Sequence, residues 1–281
     1  MSRVLIIGDR NEVGREIGAA LSAASLPVEY SAGHVDALQR LRAQAIAVVI
    51  TSAYNAIEEG LAFLEEVRSI RPGVKCIVLA HKSTPEKVIA ALRARVFALF
   101  TPPFDAYEIA ALARNAATDP QANEDIEVLS ARPGWIAVRV NCRLATAERL
   151  MSFAKEFAAQ LPETARHEIM QALREILVNA MEHGAAFNPD QVVEVNAIRT
   201  ARSMTFRVRD PGAGFRKDAI THAAFSSPDP IAHIVQRNQQ GMRAGGYGLL
   251  LAAGTVDELI YNELGNEVIL IKYLDPPTQK P

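Results

Sequence analysis

Three short segments in the second half of this chain hold residues that could do chemistry together. In Glu175-Ile-Leu-Val-Asn179-Ala-Met-Glu182-His183-Gly184, the polar residues Glu175, Asn179, Glu182 and His183 recur at helical spacing and share one helix face. A carboxylate and an amide are costly to bury without partners, so that face is not core throughout. An asparagine carbonyl with waters suits Mg²⁺, an oxygen-seeking ion that keeps several of its waters. In Arg209-Asp210-Pro211-Gly212-Ala213-Gly214-Phe215, a carboxylate directly follows a strand of alternating residues. There it can accept a hydrogen bond from an exocyclic amine, and the glycines let backbone approach a flat ring where a Cβ would collide. In Gly241-Met242-Arg243-Ala244-Gly245-Gly246-Tyr247-Gly248, a glycine-rich loop opens onto a helix amino terminus. Free N–H groups and the positive end of the helix dipole make such a loop a cradle for phosphate.

The elements that must position these segments follow from periodicity. After residue 134 the pattern predicts a strand (135–140), two long helices (144–160 and 163–184) and two strands (191–199 and 203–209). A glycine-rich, weakly periodic region runs to about 245, followed by a short helix (247–254) and strands at 256–262 and 267–273. Helices and strands are partly segregated, which predicts an α+β layer on a mostly antiparallel sheet.

The first half reads differently. Val4–Ile7, Ile46–Thr51, Cys76–Ala80 and Val96–Phe100 are short, β-rich and nearly all apolar, as strands buried on both faces of a parallel sheet are. Val28–Ser31 is the remaining strand. Between them, 10–24, 34–44, 57–71 and 84–94 carry apolar residues at helical spacing, and 104–118 closes the set. Strand–helix alternation of this kind predicts a doubly wound α/β domain. The expected division is therefore 1–118, a polar linker 119–134 and a second domain 135–274.

Composition narrows the function classes. The 281 residues are 49% hydrophobic and 22% charged, with a formal net charge of -2, the balance of a well-packed globular protein. No cluster of Lys and Arg suggests phosphate neutralisation, so no nucleic-acid partner is expected. Cys76 and Cys142 lie far apart and outside any metal-ligand spacing, which argues against a disulfide framework or a zinc site and fits a reducing compartment. The apolar runs at Val4–Ile7 and Leu249–Ala253 are too short for a signal-peptide core or a bilayer span. A cytoplasmic protein with no membrane partner is the expectation.

In their order, the three segments resemble the N, G1 and G2 boxes of the GHKL ATPase superfamily, over roughly 135–274. The superfamily includes histidine kinases, gyrase-type ATPases and anti-sigma-factor serine kinases. The resemblance implies a Bergerat-type ATP-binding domain with ATP and Mg²⁺ as ligands. It gives Asn179 the metal and Asp210 the adenine amine, while Gly212 and Gly214 shape the adenine pocket and Phe215 belongs to the ATP-binding residues. Gly246 and Gly248 approach the triphosphate, and residues from about 216 to 245 form a lid. Arg243 is either a phosphate contact or a solvated lid residue, and Tyr247 either a site or a packing residue.

Within the superfamily, the entry at Trp135–Gln160 and the ending Gly246-Tyr-Gly-Leu-Leu-Leu…Val256-Asp-Glu-Leu look most like the anti-sigma-factor serine kinases. By that resemblance Glu175 is the general base toward a protein serine, the alternative being that it orders a metal-bound water. His167-Glu168 echoes a histidine-kinase acceptor, but it lies inside or beside the helix of Asn179 and reads as helix surface. The implied partners are a sigma factor or an antagonist protein phosphorylated on Ser or Thr, and a homodimer is the default. Two other classes stay open: a non-catalytic, ATP-gated interaction module, and a histidine-kinase-like ATPase domain in two-component signalling.

Residues 1–118 resemble the receiver domain of response regulators, through the strand–helix pattern, Asp9, Gly60 and Thr101-Pro102-Pro103-Phe104-Asp105. Receiver phosphotransfer needs an acidic pair, an acceptor aspartate, a hydroxyl and a lysine. Here the corresponding positions hold Gly8-Asp9, Ser52, Ala80 and Pro102. Without an acceptor carboxylate there is no aspartyl nucleophile, and Asp9 alone makes a poor magnesium site. A pseudo-receiver that docks, dimerises or senses is expected. Gly8, Gly14 and Gly18 match neither dinucleotide nor P-loop spacing, and no nucleophile-elbow motif supports hydrolase chemistry.

Overall fold

The computed structural model describes residues 3–8, 12–53, 57–119, 124–214 and 248–274. The chain divides into two compact units: Met1–Ile126 with Glu148–Gln160, and Glu127–Ala147 with Leu161–Pro281.

The first unit alternates strand and helix as its sequence pattern demands. Its strands are β1 (Arg3–Ile7), β2 (Val28–Ser31), β3 (Ile46–Ala53), β4 (Lys75–Ala80) and β5 (Ala98–Phe100); its first five helices are α1 (Glu12–Ala23), α2 (His34–Ala43), α3 (Ile57–Ile70), α4 (Pro85–Arg93) and α5 (Ala106–Thr118). The strands pair in parallel in the order β2-β1-β3-β4-β5, the flavodoxin-like order of doubly wound sheets. Val4, Ile6, Val48, Ile50, Ile77 and Leu79 pack with Ile17 and Leu21 of α1 and with Ile109 and Leu112 of α5. The alternate residues Leu5, Val49 and Val78 are just as buried and turn to the opposite face, where α2 and α3 contact each other and the strands. Caps fix the helix starts: Thr84 precedes Pro85 at the first turn of α4, and the Asp105 carboxylate accepts from the N–H groups of Tyr107 and Glu108 at α5.

Helix α6 (Leu144–Phe157) runs from one unit's sequence span into the other's, and most of it packs in the first unit. Arg149, 4% exposed, donates from Nε to the Phe97 carbonyl at 2.9 Å and lies 4.6 Å over the Phe97 ring. Glu156 accepts from Thr101 N–H and Oγ1, both at 2.8 Å. Lys155 pairs with Glu108 at 2.6 Å. Burial pulls the Arg149 pKa down to about 10, opposed by the charge of Asp125, so the guanidinium stays charged at neutral pH.

The second unit is an α+β layer. Strands β6 (Ile126–Arg132), β7 (Trp135–Asn141), β8 (Val192–Arg199), β9 (Ser203–Arg209), β10 (Glu258–Tyr261) and β11 (Glu267–Tyr273) form one sheet, in the order β10-β11-β9-β8-β7-β6. Pairing is antiparallel from β7 through β8, β9 and β11 to β10. Strand β6 falls where the sequence pattern gave a linker. It turns into β7 through Pro133 and Gly134, the latter at φ 77°, the dipeptide that favours such a turn. Along β8 and β9 burial alternates with period two, so one face of the sheet is core. Helix α7 (Glu163–Asn179) lies on that core through Ile169, Leu173, Ile176 and Leu177, and contacts β9, β11 and α8 (Gly248–Thr255). Lys272 of β11 ties α7 down, its Nζ 2.7 Å from the Glu168 carboxylate.

Candidate nucleotide site

Glu175 and Asn179 sit one turn apart at the carboxy-terminal end of α7, both half-buried. The α-helical ladder stops there, and Ala180–Gly184 forms a π-helical turn. The sequence pattern predicted one helix through residue 184. The wider π turn instead re-aims Glu182 and His183 relative to a continuous α-helix, and such turns often accompany functional sites. Gly184 closes this turn against the segment that follows β9.

That segment is built around Asp210. Its N–H donates to the Asn266 carbonyl at 3.0 Å, and its Oδ1 accepts from Gly212 N–H at 2.8 Å, an aspartate turn closed on its own backbone. A Cβ on Gly184 would lie 2.3 Å from Asp210 Oδ1, and one on Gly212 would lie 2.8 Å from the same oxygen and 2.9 Å from Gly184 Cα. Gly214 has φ 77°, and a side chain there would meet the Leu264 carbonyl at 1.9 Å. The carboxylate is thus seated among backbone atoms, with side chains excluded on two sides. Burial raises the Asp210 pKa above the ordinary aspartate value, opposed by the Gly212 hydrogen bond. Burial also pushes the Cys142 thiol up to about 11, with the charge of Asp210 adding to the effect.

Of the residues predicted for the site, the structure brings Asp210 and Gly212 together at the end of β9, and Glu175 and Asn179 together on α7. Gly214 follows in the same turn, and Gly248 opens α8. Phe215, Arg243, Gly246 and Tyr247, with the lid at 216–245, lie outside the described residues. Sequence reasoning did not single out Asn266, which holds the Asp210 turn, or Cys142 beside it; no local motif marks either. His167 is exposed on α7, about 18 Å along the helix axis from Asn179 at about 1.5 Å per residue.

In the first unit, the residues expected at degenerate receiver positions lie at or just after the carboxyl ends of parallel strands, where doubly wound folds place ligands. Ser52 is next to last in β3, Ala80 ends β4, and Pro102 follows β5. Asp9 lies outside the described residues.

The first unit is a doubly wound fold of flavodoxin-like strand order, and the second a sheet-and-helix layer carrying a carboxylate among glycines. Residues 140–272 match the family model of the histidine kinase-like ATPase domain. No curated protein matches the chain. Among solved structures, the chain is similar to a CheY-like receiver domain protein from Methanospirillum hungatei, at 19% identity over 43% of this chain and 97% of that one, with a TM-score of 0.38. It is also similar to a response regulator from Thermotoga maritima, at 18% identity over 42% of this chain and 100% of that one, with a TM-score of 0.39. The family-model match over residues 140–272 supports an ATP-binding regulatory function. Among the described residues no helix is long and apolar enough to cross a membrane.

Proposed function

We propose that the chain is an ATP-binding regulatory protein of the anti-sigma-factor serine kinase type. It binds Mg-ATP, phosphorylates an antagonist protein on Ser or Thr in a cytoplasmic partner-switching pathway, and binds a sigma factor or a similar target. The observation that carries this reading is the half-buried Asp210 carboxylate at the end of β9, beside which neither Gly212 of the same turn nor Gly184 of the π turn has room for a Cβ. A fixed acceptor beside bare backbone fits a flat base that presents an amine.

The other residues have roles in the same reading. Asn179 would hold Mg²⁺ through its side-chain oxygen, a hard ligand of the kind this ion prefers. Bound there, the metal neutralises charge on the phosphates during transfer. Glu175, one turn earlier, accepts the proton of the protein hydroxyl. Gly212, Gly214 and Phe215 border the base, while Arg243, Gly246, Tyr247 and Gly248 border the phosphates. The first unit is a non-phosphorylatable receiver-like module, because Ser52, Ala80 and Pro102 stand where an acceptor, a hydroxyl and a lysine are needed. The chain acts as a homodimer.

Incubation of the purified chain with γ-labelled ATP and antagonist-type proteins from neighbouring genes tests this. Label on a serine or threonine of one of them is the expected result. Nucleotide binding with no label on any confirmed partner would make the chain a gated binding module instead.

A further inference from the structure

The turn between β10 and β11 grips the Asp210 turn at three points. Asp210 N–H donates to the Asn266 carbonyl at 3.0 Å. The Asn266 side-chain Nδ2 donates to the Gly212 carbonyl at 3.3 Å and, less closely, to the Asp210 carbonyl at 3.5 Å. The Leu264 carbonyl fills the space where Gly214 has no side chain. Asn266 is itself 7% exposed, and its orientation is set from behind. Asn262 Nδ2 donates to Asn266 Oδ1 at 2.9 Å, while Asn262 Oδ1 accepts from Gly265 N–H at 2.8 Å and Glu267 N–H at 3.2 Å.

We infer that Asn266, oriented by Asn262, is a positioning residue that sets the purine specificity of the site, by holding the backbone of Gly212 through the Gly212 carbonyl; the N–H of the same residue aims the Asp210 carboxylate. The chain of contacts is continuous: Asn262 orients the Asn266 amide, that amide holds Gly212, and Gly212 N–H holds Asp210 Oδ1. A buried amide satisfied at both ends is directional in a way that an apolar residue of the same size is not. Releasing it leaves the Asp210 turn in place through the backbone bond to Asn266, but lets the carboxylate swing. Selection of an amine depends on that aim; general affinity for the phosphates does not. The inference rests on the proposed reading of Asp210 as the adenine acceptor.

The test uses the full chain, Mg²⁺ and two probes, ATP and purine ribonucleoside triphosphate, which has hydrogen in place of the 6-amine. Calorimetry of the wild type should show ATP bound at least about tenfold tighter, the worth of one hydrogen bond to a charged acceptor. In Asn266→Asp, of the same shape without the donor, that preference should shrink several-fold while purine ribonucleoside triphosphate binds as before. Asn266→Ala and Asn262→Ala should do the same; the latter, at an exposed position, serves if the Asn266 variants fail to fold. A purely structural role would lower the melting temperature and weaken both probes alike, leaving the ratio intact. Wild-type discrimination retained in full by folded variants overturns the inference alone. A wild type that binds both probes equally overturns the reading of Asp210, and the inference with it.

Discussion

Gly184 and Asp210 stand so close that a Cβ on the glycine would lie 2.3 Å from the carboxylate Oδ1. They belong to different elements, the π turn after α7 and the loop after β9, so their contact joins the end of α7 to the end of β9. Gly184→Ala must displace a carboxylate that Gly212 N–H holds in place. Mg-ATP affinity should fall at least about tenfold, about 1.4 kcal/mol. Gly254→Ala is the control, because an added Cβ there meets nothing within 4 Å, and alanine suits a helix better than glycine by up to about 1 kcal/mol. Titration calorimetry of both variants checks the pair, and equal affinities would place Gly184 outside the site.

In the proposed reading, the half-buried Asp210 carboxylate makes binding pH-dependent, with a definite sign. Burial raises the folded-state pKa of Asp210 above 3.8. Its contribution to the stability of the free protein is therefore present below that value and lost as pH rises through the folded pKa. In the same reading nucleotide binding runs the other way, since the amine would need the ionised acceptor. Affinity for Mg-ATP should decline on acidification while the pH is still above the ordinary aspartate range. Asp210→Asn should lack this step when both proteins are titrated across the same pH series.

Much of this architecture was legible beforehand because hydrophobic period reports burial directly. The short apolar runs of the parallel sheet and the alternation of Ser203–Arg209 sit where the pattern put them. Strand β6 was missed because it is half-exposed and follows a polar stretch, although Pro133-Gly134 carried a turn signal. The π turn has no sequence period of its own. Nor could periodicity show that α6 packs in the first unit, since its anchors Arg149 and Glu156 read as solvent-facing charges. The Asp210 turn was readable as Asp-Pro-Gly-Ala-Gly, but its support by Asn266 joins residues far apart in sequence and leaves no local trace.

Those anchors are testable as stability determinants. Arg149 is charged and nearly fully buried, with its Nε on the Phe97 carbonyl and Asp125 opposing its desolvation. Arg149→Met keeps much of the stem and removes the charge and the donor. It should cost about 3–5 kcal/mol, the usual effect of breaking a buried charge interaction. Glu156→Gln keeps one acceptor for Thr101 and should cost less. Urea unfolding of the full chain measures both, and an Arg149→Met protein as stable as the wild type would remove α6 from the first unit's core.

The role of Glu175 separates a kinase from a nucleotide-gated module. Glutamine keeps the shape and one acceptor but cannot take a proton. Glu175→Gln should bind Mg-ATP as the wild type does and transfer phosphate about 10²–10⁴-fold more slowly. Loose phosphoryl-transfer transition states put the expectation at the low end. Single-turnover transfer to a confirmed protein substrate is the measurement, and an unchanged rate would leave Glu175 as a residue that orders water.

In the proposed function this chain binds an adenine nucleotide through Asp210 and Asn179. Calorimetric titration of Mg-ATP into the wild type, Asp210→Asn and Asn179→Asp tests it most directly. Binding to the wild type with a weakened interaction in both variants, while all three unfold at similar temperatures in the absence of nucleotide, is the predicted result. Equal affinity in all three, or no binding to the wild type, would rule out Asp210 and Asn179 as the nucleotide contacts.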